Sequence, residues 1–399
     1  MTAKTTIRGS SFDLRRPFAR LAAIASALVL AACQPIETGV SGGSSGQTID
    51  PSQPVQVALL VPGGAPDLDW LARSLTNSAK MAASDAQGAT IDLRIYNSGS
   101  DPATAVAQAN QAADQGAKII LGPLFADSAN AVGNAMAPRG VNVLSFSNNA
   151  DIAGGNVFVL GNTFANTANR LVKYAKDTGR RRIMVVAEDD AAGQIGAQAI
   201  QQAIQRNGVT MAGMAVHPVS RQGIDGVIPN VSQAALSGNV DAIFLTANQG
   251  AVLPYLTDRL ADSGVTSANV QMMGLTRWDQ PADRLGLRGV QGGWFALPDT
   301  RMKAQFDQRY RSAYGETPHD LGSLGYDGVA AIAALVRAGK RNALTTAGLT
   351  QNAGFAGING AFRLNRDGTN ERALAVATIR NGRVEVLDPA PSSFGGYGF

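Results

Sequence analysis

The sequence predicts an α/β protein built as two doubly wound lobes, each a parallel sheet covered by helices on both faces. Short apolar runs alternate with helical stretches of ten or more residues, the pattern of repeated βαβ units. The strands are too many for one compact sheet. A Gly-rich stretch at 154–162 lies midway between two series of them.

The first series opens at 55–61 (VQVALLV), an almost continuous apolar run of the kind covered on both faces. It stops at Pro62-Gly63-Gly64 and is followed by a helical segment at 70–86. A strand at 91–96 leads to a helix at 102–115, with Asp101 placed as N-cap and Pro102 at the first helical position. A strand at 118–121 breaks at Gly122-Pro123 before a helix at 126–137. The strand at 141–146 ends in the polar string Ser145-Phe146-Ser147-Asn148-Asn149.

The second series pairs a helix at 164–177 with a strand at 182–187, and a helix at 194–207 with a strand at 210–216. A helix at 228–236, a strand at 242–246, a helix at 250–262 and a strand at 270–274 continue it. The last third reads as additions to these lobes: a strand at 293–297, helices at 301–314 and 321–338, and short antiparallel strands at 362–365, 373–380 and 383–387. Asn381-Gly382 joins the last two as a type I′ hairpin turn.

The ends have another character. Arg15, Arg16 and Arg20 precede an apolar run at 21–32 that is too short to span a bilayer, the layout of an export signal. Residues 34–54 are rich in Gly, Ser and Pro and read as a flexible tether, and 389–399 as a loose tail. Five of the 34 basic residues and one of the 30 acidic residues lie in the first 32, so the remaining 29 of each sign cancel. A neutral body argues against a nucleic-acid footprint.

Catalytic and cofactor chemistry find little support. The single Cys excludes a multi-cysteine metal site, and no Gly-Lys-Ser/Thr completes a phosphate loop. Gly42-Gly43-Ser44-Ser45-Gly46 matches a nucleophile elbow in letters only, since no strand precedes it and no helix follows. His217 and His319, the only two histidines, are expected at a surface or strand edge rather than as bases. The reading is a non-enzyme with no cofactor and no metal.

Two resemblances follow. Leu30-Ala31-Ala32-Cys33 resembles a bacterial lipobox, which implies cleavage before Cys33, its lipidation, and tethering to a membrane. Gln34 after the cysteine, where Asp often signals inner-membrane retention, leans the expectation toward the outer membrane. Arg15-Arg16-Pro17-Phe18 is similar to part of a twin-arginine motif, although the ordinary export route is preferred. Further on, the first strand ending in Gly, Asp-Pro-Ala-Thr-Ala (101–105), Ile-Leu-Gly-Pro-Leu (120–124) and Tyr-Asp-Gly (326–328) occur in one order. Together they resemble the type I periplasmic binding proteins of the leucine-binding branch. Gly-Pro-Leu-Phe (122–125) with Leu-Ser-Phe-Ser-Asn (144–148) is most similar to the penicillin-binding protein activator lipoproteins.

That resemblance implies two lobes joined by a three-stranded hinge, with 55–160 and 297–342 in one lobe and 161–296 and 343–388 in the other. Ligands then enter beyond the carboxyl ends of the strands. The candidates in the first lobe are Gly63, Gly64, Phe125, Ala126, Ser128, Ser147, Asn148 and Asn149; those in the second are Asp190, Asn248, Arg277 and Trp278. Ser128 near a helix start suits an anion such as a carboxylate, and Arg277 beside Trp278 offers a donor fork and an aromatic face. Helix capping is the competing role for the Ser and Asn residues, and a lobe-surface anchor for Trp278. Amino-acid-binding members place an acidic residue for the ligand ammonium near where this chain has Arg277, so the chain departs from the pattern of ordinary leucine recognition. The first functional expectation is a non-catalytic envelope regulator acting on a peptidoglycan synthase; the alternative is a solute receptor of an ABC importer for amino acids or related small molecules.

Overall fold

The computed structural model describes residues 1–2, 46–64, 66–247 and 250–394. The chain divides into two units, Met1–Ser44 and Ser45–Phe399, and every described strand and helix belongs to the second. Cys33, the apolar run before it and most of the tether lie outside the described residues, as do Asn248 and the last five residues of the tail.

The first sheet contains β1 (Val55–Val61), β2 (Ile91–Asn97), β3 (Ile119–Leu121), β4 (Asn142–Ser145) and β5 (Val157–Val159). They run parallel in the order β2-β1-β3-β4-β5. Every residue of β1 is buried, Gln56 included, as its almost continuous apolar run requires. Helix α1 (Asp69–Asp85) and, later in the chain, α9 (Ser323–Arg337) pack Leu71, Leu75, Ala79, Ile332 and Leu335 against one face. The opposite face is covered by α2 (Pro102–Asp114) and α3 (Ala126–Met136) through Ala105, Ala109, Val132 and Met136. Asp101 caps α2 as expected, accepting the Thr104 N–H at 2.9 Å.

The second lobe begins at α4 (Phe164–Asp177) and continues through β6 (Arg182–Glu188), α5 (Ala191–Asn207), β7 (Thr210–His217), α6 (Arg221–Leu236), β8 (Ala242–Leu245), α7 (Val252–Asp262), β9 (Gln271–Gly274) and β10 (Trp294–Leu297). The chain then returns to the first lobe in α8 (Thr300–Tyr314), α9, α10 (Thr346–Leu349) and the small hairpin β11 (Phe362–Leu364) and β12 (Asn370–Arg372). It ends in β13 (Ala375–Arg380) and β14 (Arg383–Asp388). The second sheet has the order β14-β13-β10-β9-β8-β6-β7, parallel except where β13 meets β10 and β14. Asn381 and Gly382, at φ of 50° and 70°, form the left-handed pair that the hairpin turn requires.

Three sequence expectations are corrected. Residues 343–364 belong to the first lobe: Ala343, Leu344, Leu349, Phe355, Phe362 and Leu364 join the core around β1. The third crossing is therefore near 373–374, and the apolar residues before it carry no periodicity that announces their sheet. Helix α6 starts seven residues before the expected 228, because Ser220 caps it at Gly223 N–H and Pro229 is accommodated inside it. Finally, the Gly-rich stretch holds β5, three residues too short to leave a pattern.

The crossings at 160–163 and 373–374 are held side by side through β12. Asn370 Nδ2 donates to the carbonyls of Val159 at 2.8 Å and Gly161 at 2.9 Å, and Arg372 Nε donates to that of Leu160 at 2.9 Å. Asp327, fully buried on α9, faces Arg372 at 3.4 Å and accepts the Ile358 N–H at 2.6 Å. Burial pushes the Asp327 carboxyl up from its ordinary value, and the Arg372 guanidinium offsets part of that.

Candidate functional site

Topology groups the candidates before any side chain is considered. The loops after β1, β3 and β4 carry Gly63–Gly64, Phe125–Ser128 and Ser147–Asn149, and these strands are neighbours in the first sheet. The loops after β6 and β9 carry Asp190 and Arg277–Trp278, and β8 lies between these strands in the second; Asn248 lies outside the described residues. Each set straddles the point where strand order reverses, the place where open α/β sheets receive ligands. The two carboxyl-end faces meet at one side: Gln280, in the loop beyond β9, donates to Asp320 of the first lobe at 3.3 Å. Lys303 on α8 stands 3.7 Å from the other oxygen of Asp320.

In the first lobe the strongest feature is the start of α3. Its N-cap is Phe125, whose side chain caps nothing, so the leading N–H groups keep their partial positive charge. Ser128, in that first turn, is buried, and its hydroxyl has no hydrogen-bond partner among the described residues. Gly122 makes the loop possible, since its φ is +94° and a Cβ there would lie 2.2 Å from the Leu60 carbonyl oxygen. Phe125 and Ala126 are half-buried beside it. Gly64 is exposed with φ +95°, and the Asn97 side chain lies against both Gly63 and Gly64, adding Asn97 to this loop.

The Ser147–Asn149 string divides by role. Ser147 is buried and its Oγ accepts the Asn149 N–H at 3.1 Å, while Asn149 caps the short turn at 150–152 by accepting the Asp151 N–H at 2.9 Å. Of the three, only Asn148 is exposed. Asp190 likewise caps α5, accepting the Gly193 N–H at 2.7 Å.

Arg277 and Trp278 behave differently from the expected pair. The Arg277 guanidinium is held bidentately by Asp279, at 2.9 and 2.5 Å, so its charge is matched inside its own loop. Trp278 offers no aromatic face: it is fully buried in the second lobe's core, clamped between Gly274 and Gly293, where a Cβ at either would strike the indole at 1.9–2.0 Å. Trp278 is thus corrected from a ligand-facing side chain to a core residue. Only small residues on β9 and before β10 admit a ring this large.

Other residues at this end carried no signal in the sequence. Trp70 opens α1 at 47% exposure and meets His319 edge-on, with ring centroids 4.9 Å apart; its Nε1 donates to the Thr317 carbonyl at 3.1 Å. Burial holds His319 below the ordinary histidine value, offset in part by Asp320. His217 lies on the edge strand as expected, but its side chain is buried, with Nδ1 2.9 Å from the Pro218 carbonyl oxygen. Among the described residues no group of three or more His, Cys, Asp or Glu side chains could hold a metal.

Two doubly wound lobes joined by strand crossings, each with loops at the carboxyl ends of its strands, define the architecture of a two-lobed binding protein. The chain matches the periplasmic binding protein model over residues 54–383, and it belongs to that family. It is similar to a putative branched-chain amino acid ABC transporter protein from Rhodospirillum rubrum, with a TM-score of 0.72 at 20% identity, covering 84% of this chain and 100% of the other. An ABC transporter substrate-binding protein from Desulfitobacterium hafniense, solved in complex with Leu, gives 0.61 at 19% identity over 84% and 100%. A leucine binding protein from Thermotoga maritima gives 0.54 at 18% over 84% and 98%. At these identities the likeness is one of fold. An uncharacterized protein of Rickettsia prowazekii is 22% identical over 204 residues, 51% of this chain; the chain spans about half the length of that curated relative.

Proposed function

We propose that this protein is a solute receptor which closes its lobes around a small carboxylate-bearing molecule and presents it to an ABC importer. The observation that carries the ligand class is the uncapped start of α3, with a buried Ser128 hydroxyl seeking a partner. Family membership and neighbours named as ABC transporter proteins support the receptor role. They favour it over the synthase-regulator reading, which rests on the lipobox at Cys33, the altered cleft loops and the Gly122–Phe125 and Leu144–Asn148 motifs. Receptors of this family bind rather than transform, and catalysis has no part in the proposal.

Native mass spectrometry of the chain purified from its own host, seeking a retained small molecule, is the direct test. Thermal unfolding with aliphatic amino acids and simple carboxylates is the second, since a ligand at a hundred times its Kd stabilises by about 2.7 kcal/mol. No retained molecule and no shift with any carboxylate would defeat the reading. Capture of a peptidoglycan synthase, without importer subunits, would restore the regulator in its place. Lipidation at Cys33 and an outer-membrane tether belong to the same proposal. Intact mass of detergent-extracted protein tests the first, and membrane fractionation of wild type and Cys33→Ala the second.

A further inference from the structure

Among the described residues the second sheet ends in two free strand edges, β14 and β7, and the first sheet in a further open edge at β2. Open edges invite pairing with other chains, and proteins blunt them with charge. β2 carries Asp92 and Arg94, and β14 carries Arg383, Glu385 and Asp388. β7 reads Thr-Met-Ala-Gly-Met-Ala-Val-His and carries none of Asp, Glu, Lys, Arg or Pro across eight residues. It nevertheless exposes Met211 at 38%, Met214 at 41% and Val216 at 48%.

Backbone direction gives this edge a register. The His217 carbonyl points inward, accepting the Asp189 N–H at 3.0 Å. Successive residues of a strand send their peptide groups to opposite sides, so those of Val216 and Met214 face outward. Among the described residues no strand pairs with them.

We infer that the β7 edge is a self-association surface, where a second copy of this chain pairs antiparallel about a two-fold axis through Ala215. That axis sets Met214 opposite the second copy's Val216, and Val216 opposite its Met214. Both are hydrogen-bonded pairs, so the four outward N–H groups of the two copies meet four carbonyls. The two exposed apolar side chains share one face and cover each other. No charge is brought against a like charge. At β14 the equivalent axis through Glu385 would set that carboxylate against itself, so β7 is the edge suited to its own copy.

Sedimentation of the full chain across a concentration series tests this. The wild type forms dimers at high micromolar concentration, Met214→Lys sediments as monomer at the same concentration, and the control Val386→Lys on β14 behaves as wild type. A wild type that stays monomeric, or a dimer indifferent to Met214→Lys, overturns the proposal. Should the Lys variant fail to fold, hydrogen exchange on the wild type decides. Protection of the Met214 and Val216 amides that grows with concentration supports pairing between copies. Fast exchange throughout, or protection independent of concentration that marks a segment of the same chain on the edge, overturns it.

Discussion

Trp278 shows how one residue can be legible in chemistry and illegible in place. Its type, beside Arg277 at a strand exit, suits a binding wall, yet Gly274 and Gly293 open a slot that draws the ring into the core. Its Nε1 has no hydrogen-bond partner among the described residues, so the ring stays for its apolar surface. Trp278→Ala is expected to cost about 3–5 kcal/mol in urea unfolding. Trp278→Phe should cost distinctly less, because it removes the unsatisfied N–H along with part of the volume. His319 gives a second residue-scale expectation. Its folded pKa lies below the unfolded 6.5, so the unfolded state binds more protons in the window beneath 6.5. Stability therefore rises with pH through that window and is lost as pH falls through it. Protonation also sets a cation edge-on to Trp70, so the fluorescence quenched on acidification should have its midpoint below 6.5 and vanish in His319→Gln.

Among elements, those with strong periodicity or a chemical cap were readable from residues alone. β1 is an almost continuous apolar run, α2 has Asp101 and Pro102, and the last hairpin has Asn381-Gly382. What escaped was set by contacts distant in sequence. β5 and β12 are three residues each, and Asn370 and Arg372 gain meaning only against carbonyls some 210 positions earlier. The same applies to the site: strand-exit loops were found by alternation, whereas Trp70 and Asn97 depend on which loops the sheet makes neighbours. Within β12, Arg372→Met would leave Asp327 a buried charge with no counter-ion and free the Leu160 carbonyl. Breaking a buried pair from one side costs about 3–5 kcal/mol, which is expected here from denaturant titration. Replacing both, as Asp327→Leu with Arg372→Met, should recover most of that loss, because the pair's Coulomb gain is spent largely on desolvation. A double variant no better than the single one would show instead that the Leu160 and Ile358 hydrogen bonds carry the energy.

At the scale of the whole molecule the question is what draws the lobes together. Outside the crossings, the direct polar contact seen at the cleft among the described residues is the hydrogen bond from Gln280 to Asp320, long at 3.3 Å and exposed. Contacts of that kind contribute about 0.5 kcal/mol, enough to change an open-to-closed ratio only about twofold. The crossings, by contrast, are tied at 160–163 to β12 by several buried hydrogen bonds, which resist sliding while leaving rotation about the strands. Closure in the proposed receptor must then come from the ligand, since only a molecule touching both lobes distinguishes the two states by several kcal/mol. Spin labels at positions 64 and 189, read by pulsed dipolar spectroscopy, would report the lobe separation. Gln280→Ala without ligand is expected to redistribute that separation by no more than about twofold in population. A wholesale opening of the ligand-free variant would mean that the Gln280–Asp320 contact, rather than a bound molecule, holds the cleft shut.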